Sequence, residues 1–230
     1  MLPPTPPASG PGAQSDPDAQ AVPANLDHLL LGTADLEEGV AWVADRLGVE
    51  AAFGGRHANL GTANYLLSLG GDIYLEILGP DPDAPPREAP LPFGIEGLDE
   101  PRLVAWAARG TDLEALVARA SGRGVSLGPV RPGSRLRPDG TELRWEITAF
   151  TAFLHDGLVP FFIDWGATPH PARATPAGGR LISFRAEHPD PSAVRSTLDA
   201  LDLALEVDEG PEPALVARIR TLGGDEVALR

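Results

Sequence analysis

One pattern recurs along this chain and limits its fold more than any other feature. Leu26-Asp27-His28-Leu29-Leu30-Leu31 runs into Gly32-Thr33, and Leu103-Val104-Ala105-Trp106-Ala107-Ala108 runs toward Gly110-Thr111, 78 positions later. Each run is short, apolar and bounded by turn residues, which predicts a buried strand. After each Gly-Thr pair, apolar residues recur at three- and four-residue steps. The first set is Leu36, Val40, Val43 and Leu47; the second is Leu113, Leu116, Val117 and Ala120. That spacing makes one face of a helix. Thr33 or Asp35 serves as the first N-cap and Gly48 as its C-terminal stop.

Strand patterns follow both helices. In the first half they are Val49 to Phe53, Thr62 to Leu69 and Asp72 to Leu78, the last two joined by Gly70-Gly71 as a hairpin. In the second half, Val125 to Val130 is a short strand candidate. Arg131 to Gly140 reads as a loop with a Pro-Asp-Gly turn at 138–140, and strands follow at Glu142 to Leu154 and Leu158 to Trp165. A third, shorter pattern has a strand at Leu181 to Ala186, a helix marked by Val194, Leu198 and Leu201, and weak strands at 205–207 and 227–229. Asp190 or Ser192 caps that helix.

Self-similarity of this kind fixes architecture early. The expected class is α+β: paired βαβββ modules forming a cupped mixed sheet, with a third partial βαβ-type module at the C-terminus. The expected division is a proline-rich lead (1–24), a first module (25–80), a linker loop (81–100), a second module (101–170) and the partial module (180–230).

Composition narrows the chemistry. The 230 residues include no cysteine, so thiolate metal sites, disulfides and thiol nucleophiles are excluded. No lysine is present either; Schiff-base catalysis is excluded, and arginine is the only side-chain cation for an acidic substrate. The formal charge of −15 argues against nucleic acid as a partner. The lead has seven prolines but no basic residue and no apolar run, unlike a secretory signal. No apolar stretch is long enough to cross a bilayer as a helix. Gly-x-Gly-x-x-Gly, P-loop and Gly-x-Ser-x-Gly patterns are missing. A cytoplasmic monomer or homodimer acting on a small molecule is expected, without membrane or nucleic-acid partners.

Several polar residues interrupt apolar strands. His28 shares a strand face with Leu26 and Leu30, and a buried imidazole needs a partner, either a backbone carbonyl or a group in a pocket. Glu76 shares a face with Tyr74 and Leu78; a carboxylate there is paired, metal-bound or on an open face. His57, beside Gly54-Gly55, suits a metal ligand, a general base or an exposed loop residue. Asn64 suits a hydrogen bond to substrate or a turn. Asp164 suits an acid or base, a weak ligand or an arginine partner. Trp106, Trp145, Phe161 and Trp165 either line an apolar cavity or form core. His170 and His188 lie in proline-rich turns and read as surface or interface, and His155 as exposed.

Three segments resemble the glyoxalase-like domain family of the vicinal oxygen chelate superfamily, which includes glyoxalases, bleomycin-resistance proteins and extradiol dioxygenases. They are Leu26 to Leu31; Gly55-Arg56-His57 with Gly61 to Gly70 and Tyr74-Leu75-Glu76; and Pro160 to Gly166 running on to Thr168-Pro169-His170-Pro171. The resemblance implies a cupped sheet whose concave face holds a divalent metal (Zn, Fe, Mn or Ni), with ligands from the first and fourth strands. His28 and Glu76 stand at those positions. Aligning the Gly-Thr pairs sets Trp106 opposite His28, so the second module lacks its His and offers Asp164 near the fourth-strand position.

The expectation is a metal-dependent isomerase, lyase or dioxygenase acting on a small oxygenated compound. His28 and Glu76 would be ligands, His57 and Asp164 catalytic groups, and Asn64, Tyr74, Trp106, Trp145, Phe161 and Trp165 substrate contacts. The rival is a metal-free binding protein of the bleomycin-resistance kind.

Overall fold

The computed structural model describes residues 22–137, 140–149 and 154–230. The lead up to residue 21, residues 138 and 139 of the expected turn, and Thr151 of the expected strand lie outside the described residues.

The first unit is β1 (Leu26–Gly32), α1 (Leu36–Leu47), β2 (Ala52–His57), β3 (Thr62–Ser68) and β4 (Tyr74–Pro80). The second is β5 (Arg102–Arg109), α2 (Leu113–Gly122), β6 (Arg131–Leu136), β7 (Glu142–Ile147) and β8 (Phe161–Asp164). Together they close a barrel in the order β1-β4-β3-β2-β6-β7-β8-β5. The two halves are the same arrangement met head to head: β1 runs parallel to β4, and β5 parallel to β8. The seams differ. β1 and β5 pair antiparallel over most of their length, whereas β2 and β6 share one residue pair, Arg56 with Leu136.

Local chemistry explains the elements. Asp35 caps α1 by accepting the Glu38 N–H at 3.0 Å, and Gly48 ends it at φ 70°. The turn between β3 and β4 needs positive φ at both Gly70 (90°) and Gly71 (58°), as a tight hairpin does. Asp112 and Asp190 cap α2 and the third helix.

The second unit differs from expectation after α2. Residues 125–130 form no strand, and Arg131–Leu136, expected as a loop, is β6. Pro132 and Gly133 disguise it as a turn. A proline is tolerated there because β6 meets β2 at only one pair, so the absent N–H is not missed. β2 also reaches farther than expected, which puts His57 on a strand rather than in a loop.

The third unit is β9 (Arg180–His188), α3 (Pro191–Ala200), β10 (Glu206–Glu209), β11 (Ala214–Arg220) and β12 (Glu226–Leu229), in sheet order β10-β9-β11-β12. Strand β11, not foreseen from the sequence, pairs on both sides. The unit has a full βαβββ element order but is not a third copy. The strand after its helix lies beside β9, whereas in the first unit β4 lies beside β1. Phe184 of β9 packs edge-on against Trp106 at 5.5 Å, joining this sheet to the barrel's outer face.

Trp106 therefore does not face the barrel interior. It is fully buried, and its Nε1–H donates to the Leu158 carbonyl at 2.8 Å. The inner-face positions of β5 are its neighbours Ala105 and Ala107, packed with Leu30, Phe161 and Ile163. Strand alternation gives the reason: odd and even positions take opposite faces. No helix among the described residues is long and apolar enough to cross a membrane.

A β-bulge in β1 falls at Asp27: Leu26 pairs with Ala108, and the next pair is His28 with Ala107. Asp27 is fully buried and gathers four donors. They are His28 Nδ1 at 2.7 Å, His170 Nε2 at 3.0 Å, Arg109 Nε at 3.3 Å and Trp165 Nε1 at 3.3 Å. Burial opposes ionisation of this carboxyl, but the hydrogen bonds from His170 and His28 outweigh it and hold its pKa far below the usual range.

Asp27→Asn should cost about 3 kcal/mol, because it leaves buried donors facing an amide. Chemical denaturation measures this. Since the folded-state pKa is lowered, the stabilisation is present above the unfolded value near 3.8 and fades as pH falls below it. The variant should lose that portion of the acid sensitivity. Trp106→Phe should cost about 2 kcal/mol through the lost hydrogen bond and a small void, without altering ligand uptake by the barrel.

Candidate functional site

The barrel encloses a cavity of about 1120 Å³. One wall is polar and comes mainly from the first unit: His28 on β1, His57 on β2, Asn64 on β3, and Tyr74 and Glu76 on β4. The facing wall is aromatic and comes from the second unit: Trp145 on β7, Phe161 on β8, and Trp165 just beyond. Trp145 and Trp165 pack with ring centres 5.2 Å apart.

His28 and Glu76 come together as expected. Parallel pairing sets β1 beside β4, and His28 Nε2 lies 3.5 Å from Glu76 Oε2. On the other side of the ring, Nδ1 meets the ionised Asp27, which can only accept, so Nδ1 donates to it and the ring is held with Nε2 toward Glu76. Tyr74 stacks on the same ring, with centres 4.5 Å apart. Burial, and then the negative charges of Asp27 and Glu76, push the Tyr74 hydroxyl well above its ordinary pKa and keep it a hydrogen-bond donor.

Asn64 holds the carboxylate from behind. Its Nδ2 donates to Glu76 Oε1 at 2.6 Å, while its Oδ1 accepts from Arg135 Nη1 at 2.7 Å. His57 closes the group, with Nε2 4.0 Å from Glu76 Oε1 and Nδ1 3.0 Å from Thr62 Oγ1. Burial lowers the His57 pKa; the Glu76 charge opposes this, while Arg135 and His28 add to it. His57 is therefore a neutral imidazole near neutrality, able to take a proton.

Two expected site residues lie elsewhere. Trp106 is in the outer core, as described above. Asp164 sits on β8 between Ile163 and Trp165, which face the cavity, so alternation turns it outward. Its Oδ1 accepts the Gly166 N–H at 2.8 Å, a turn-closing role. His170 also departs from expectation. It is not a surface residue: its side chain is 9 % exposed and bonded to Asp27, with Nδ1 accepting the Ala172 N–H. His188 accepts the Asp190 N–H, and His155 bonds Thr197.

The sequence reading missed Arg135 and Asp27. Arg135 was hidden in the supposed loop, although Arg131, Arg135 and Arg137 share the two-residue period of one strand face. Asp27 was overshadowed by its neighbour His28. Gly54 and Gly55 also gain a reason: a Cβ at either would run into the Arg135 side chain.

Donors on one divalent ion, each about 2.0–2.2 Å from it, stand roughly 3–3.5 Å apart. His28 and Glu76 satisfy this, and the carboxylate behind His28 is the support such a ligand typically has. His57 stands slightly beyond that spacing. Among the described residues no group of three or more His, Asp or Glu side chains is already gathered to hold a metal. The matching strands of the second unit, β5 and β8, turn Ala105, Ala107, Phe161 and Ile163 inward instead of metal ligands. The residues thus fit an ion held on one side only.

A family model described as a glyoxalase-like domain matches residues 26–201. No curated protein matches the chain in sequence. Among solved structures, a hypothetical protein from Staphylococcus aureus has a TM-score of 0.64 at 14 % identity, covering 89 % of this chain and 98 % of that one. Methylmalonyl-CoA epimerase from Mycobacterium tuberculosis has a TM-score of 0.41 at 20 % identity, covering 68 % and 95 %. A mutant 4-hydroxymandelate synthase from Streptomyces coelicolor has a TM-score of 0.49 at 16 % identity, covering 90 % and 62 %. The first of these shares the fold. With the family model spanning both barrel units and α3, the chain belongs to the glyoxalase-like domain family.

Proposed function

We propose that the chain is an enzyme of the glyoxalase type that acts on a small oxygenated substrate inside the barrel, with His28 and Glu76 holding a divalent metal. One observation carries this reading. His28 Nε2 and the Glu76 carboxylate face each other at 3.5 Å inside the cavity, the spacing of two ligands on one divalent ion, with Asp27 behind the imidazole. When bound, a divalent ion supplies Lewis-acid polarisation of substrate oxygens.

The chain's own residues do the rest. Asp27 orients His28, and Asn64 orients Glu76. Neutral His57 accepts a proton from substrate bound beside it, and the Tyr74 hydroxyl donates a hydrogen bond into the cavity. Trp145, Phe161 and Trp165 hold an apolar portion and exclude water. The reaction class is isomerisation, lyase chemistry or dioxygenation. A soluble monomer or homodimer in the cytoplasm suits such an activity.

A second reading draws on the apolar inner face of the second unit. A metal site served from one side suits a metal-free binding protein that holds an aromatic ligand against the packed pair Trp145 and Trp165.

Elemental analysis of the purified protein separates the two. On the first reading, the wild type carries near-stoichiometric Zn, Fe, Mn or Ni, and His28→Ala and Glu76→Gln each lower the content at least about tenfold. Unchanged content in both variants would rule that reading out. On the second, no metal is retained and ligand-induced tryptophan quenching is unaffected by chelator.

A further inference from the structure

The chain carries a net charge of −15, yet the cavity is lined by five arginines and only two glutamates among the described residues. Part of this positive charge is accounted for at the rim. Arg56 pairs with Asp81 and Asp83, and Arg144 with Glu142. Arg135 is different.

Its side chain is buried, with the whole residue only 5 % exposed. Among the described residues its single side-chain hydrogen bond runs from Nη1 to Asn64 Oδ1, a neutral acceptor, and Nε has no hydrogen-bond partner. No carboxylate among the described residues lies within ion-pair distance of it. Glu76, the nearest acid in this network, is reached only through Asn64.

A buried guanidinium without a counter-ion is costly, and proteins seldom keep one unless something else supplies the negative charge. Burial also lowers the pKa of this group, which records the same cost, although the guanidinium stays charged. The surrounding backbone is shaped for it: Gly54 and Gly55 leave room that any side chain would fill. Asn64 takes Nη1 and Nε is closed off, so the guanidinium, which lines the cavity, meets an acceptor there through its terminal nitrogens.

We propose that the ligand of this cavity carries a carboxylate, and that Arg135 binds it through the donors Asn64 leaves free. The assignment rests on the barrel being the ligand site and deepens that reading by naming the substrate class: a small carboxylic acid with an apolar, preferably aromatic, body. The acid group lies against β6. Asn64 links Arg135 to Glu76, so carboxylate binding and the orientation of Glu76 are coupled through one amide.

Salicylate and its neutral counterpart salicylamide test this, with quenching of the cavity tryptophans as readout. Titrations are run with and without EDTA, so that the metal reading and this one can fail separately. The wild type should bind salicylate at least about tenfold more tightly than salicylamide, the order expected for charge-assisted hydrogen bonds. Arg135→Gln should erase that preference. Arg135→Lys keeps the charge but not the guanidinium, and should reduce the preference several-fold. The Lys variant also serves if the Gln variant does not fold. A wild type that shows no preference, including one that binds neither compound, overturns the proposal. So does a preference left intact in the folded variants. A wild type that retains no metal as purified yet keeps the preference would refute the metal reading alone.

Discussion

The buried carboxylate of Asp27 is the point on which this molecule turns. It is the extra residue of a bulge at the seam where the two halves of the barrel meet. Its donors come from β1, from the end of β5 and from the segment after β8. A group this deeply buried stays ionised only because four hydrogen bonds replace the water it lost. The same bonds tie first unit to second, so closing the barrel and paying for the charge are one event. They also hold the His28 ring with Nδ1 on Asp27 and Nε2 toward Glu76. The seam and the candidate site therefore share one residue.

The barrel is symmetric in its strands but not in what those strands present. In the first unit, β1 and β4 direct His28, Tyr74 and Glu76 inward. In the second, the equivalent strands direct Ala105, Ala107, Phe161 and Ile163 inward. The first set is polar and hydrogen-bonded; the second is apolar. The weaker seam, β2 against β6, is where Arg135 enters, and the paired glycines of β2 make space for it.

Much of this was legible before any coordinates. The Gly-Thr repeat and the three-and-four spacing of Leu36, Val40, Val43 and Leu47 gave helices and strand order, because periodicity reflects burial directly. His28 and Glu76 stood out as polar residues in apolar strands, and they do meet. Errors arose where local composition opposed tertiary context. Pro132 and Gly133 look like a turn, yet they lie in a strand whose partner asks little of them. Asp164 looks like Glu76 by type and neighbours, but its strand is read in the other phase. His170 sits in a proline-rich turn, which suggested the surface, and instead folds in upon Asp27.

By itself the sequence determined the repeat, the fold class, the donor chemistry left by the absence of cysteine and lysine, and the two strand residues at the heart of the site. These follow from spacing and composition, which are local properties. Only the tertiary structure decided which face each strand turns inward, that Asp27 partners His28, and that Arg135 lies buried with no counter-ion among the described residues. Those outcomes depend on register, bulges and contacts such as Asn64 to Arg135, 71 positions apart, and no local pattern encodes them.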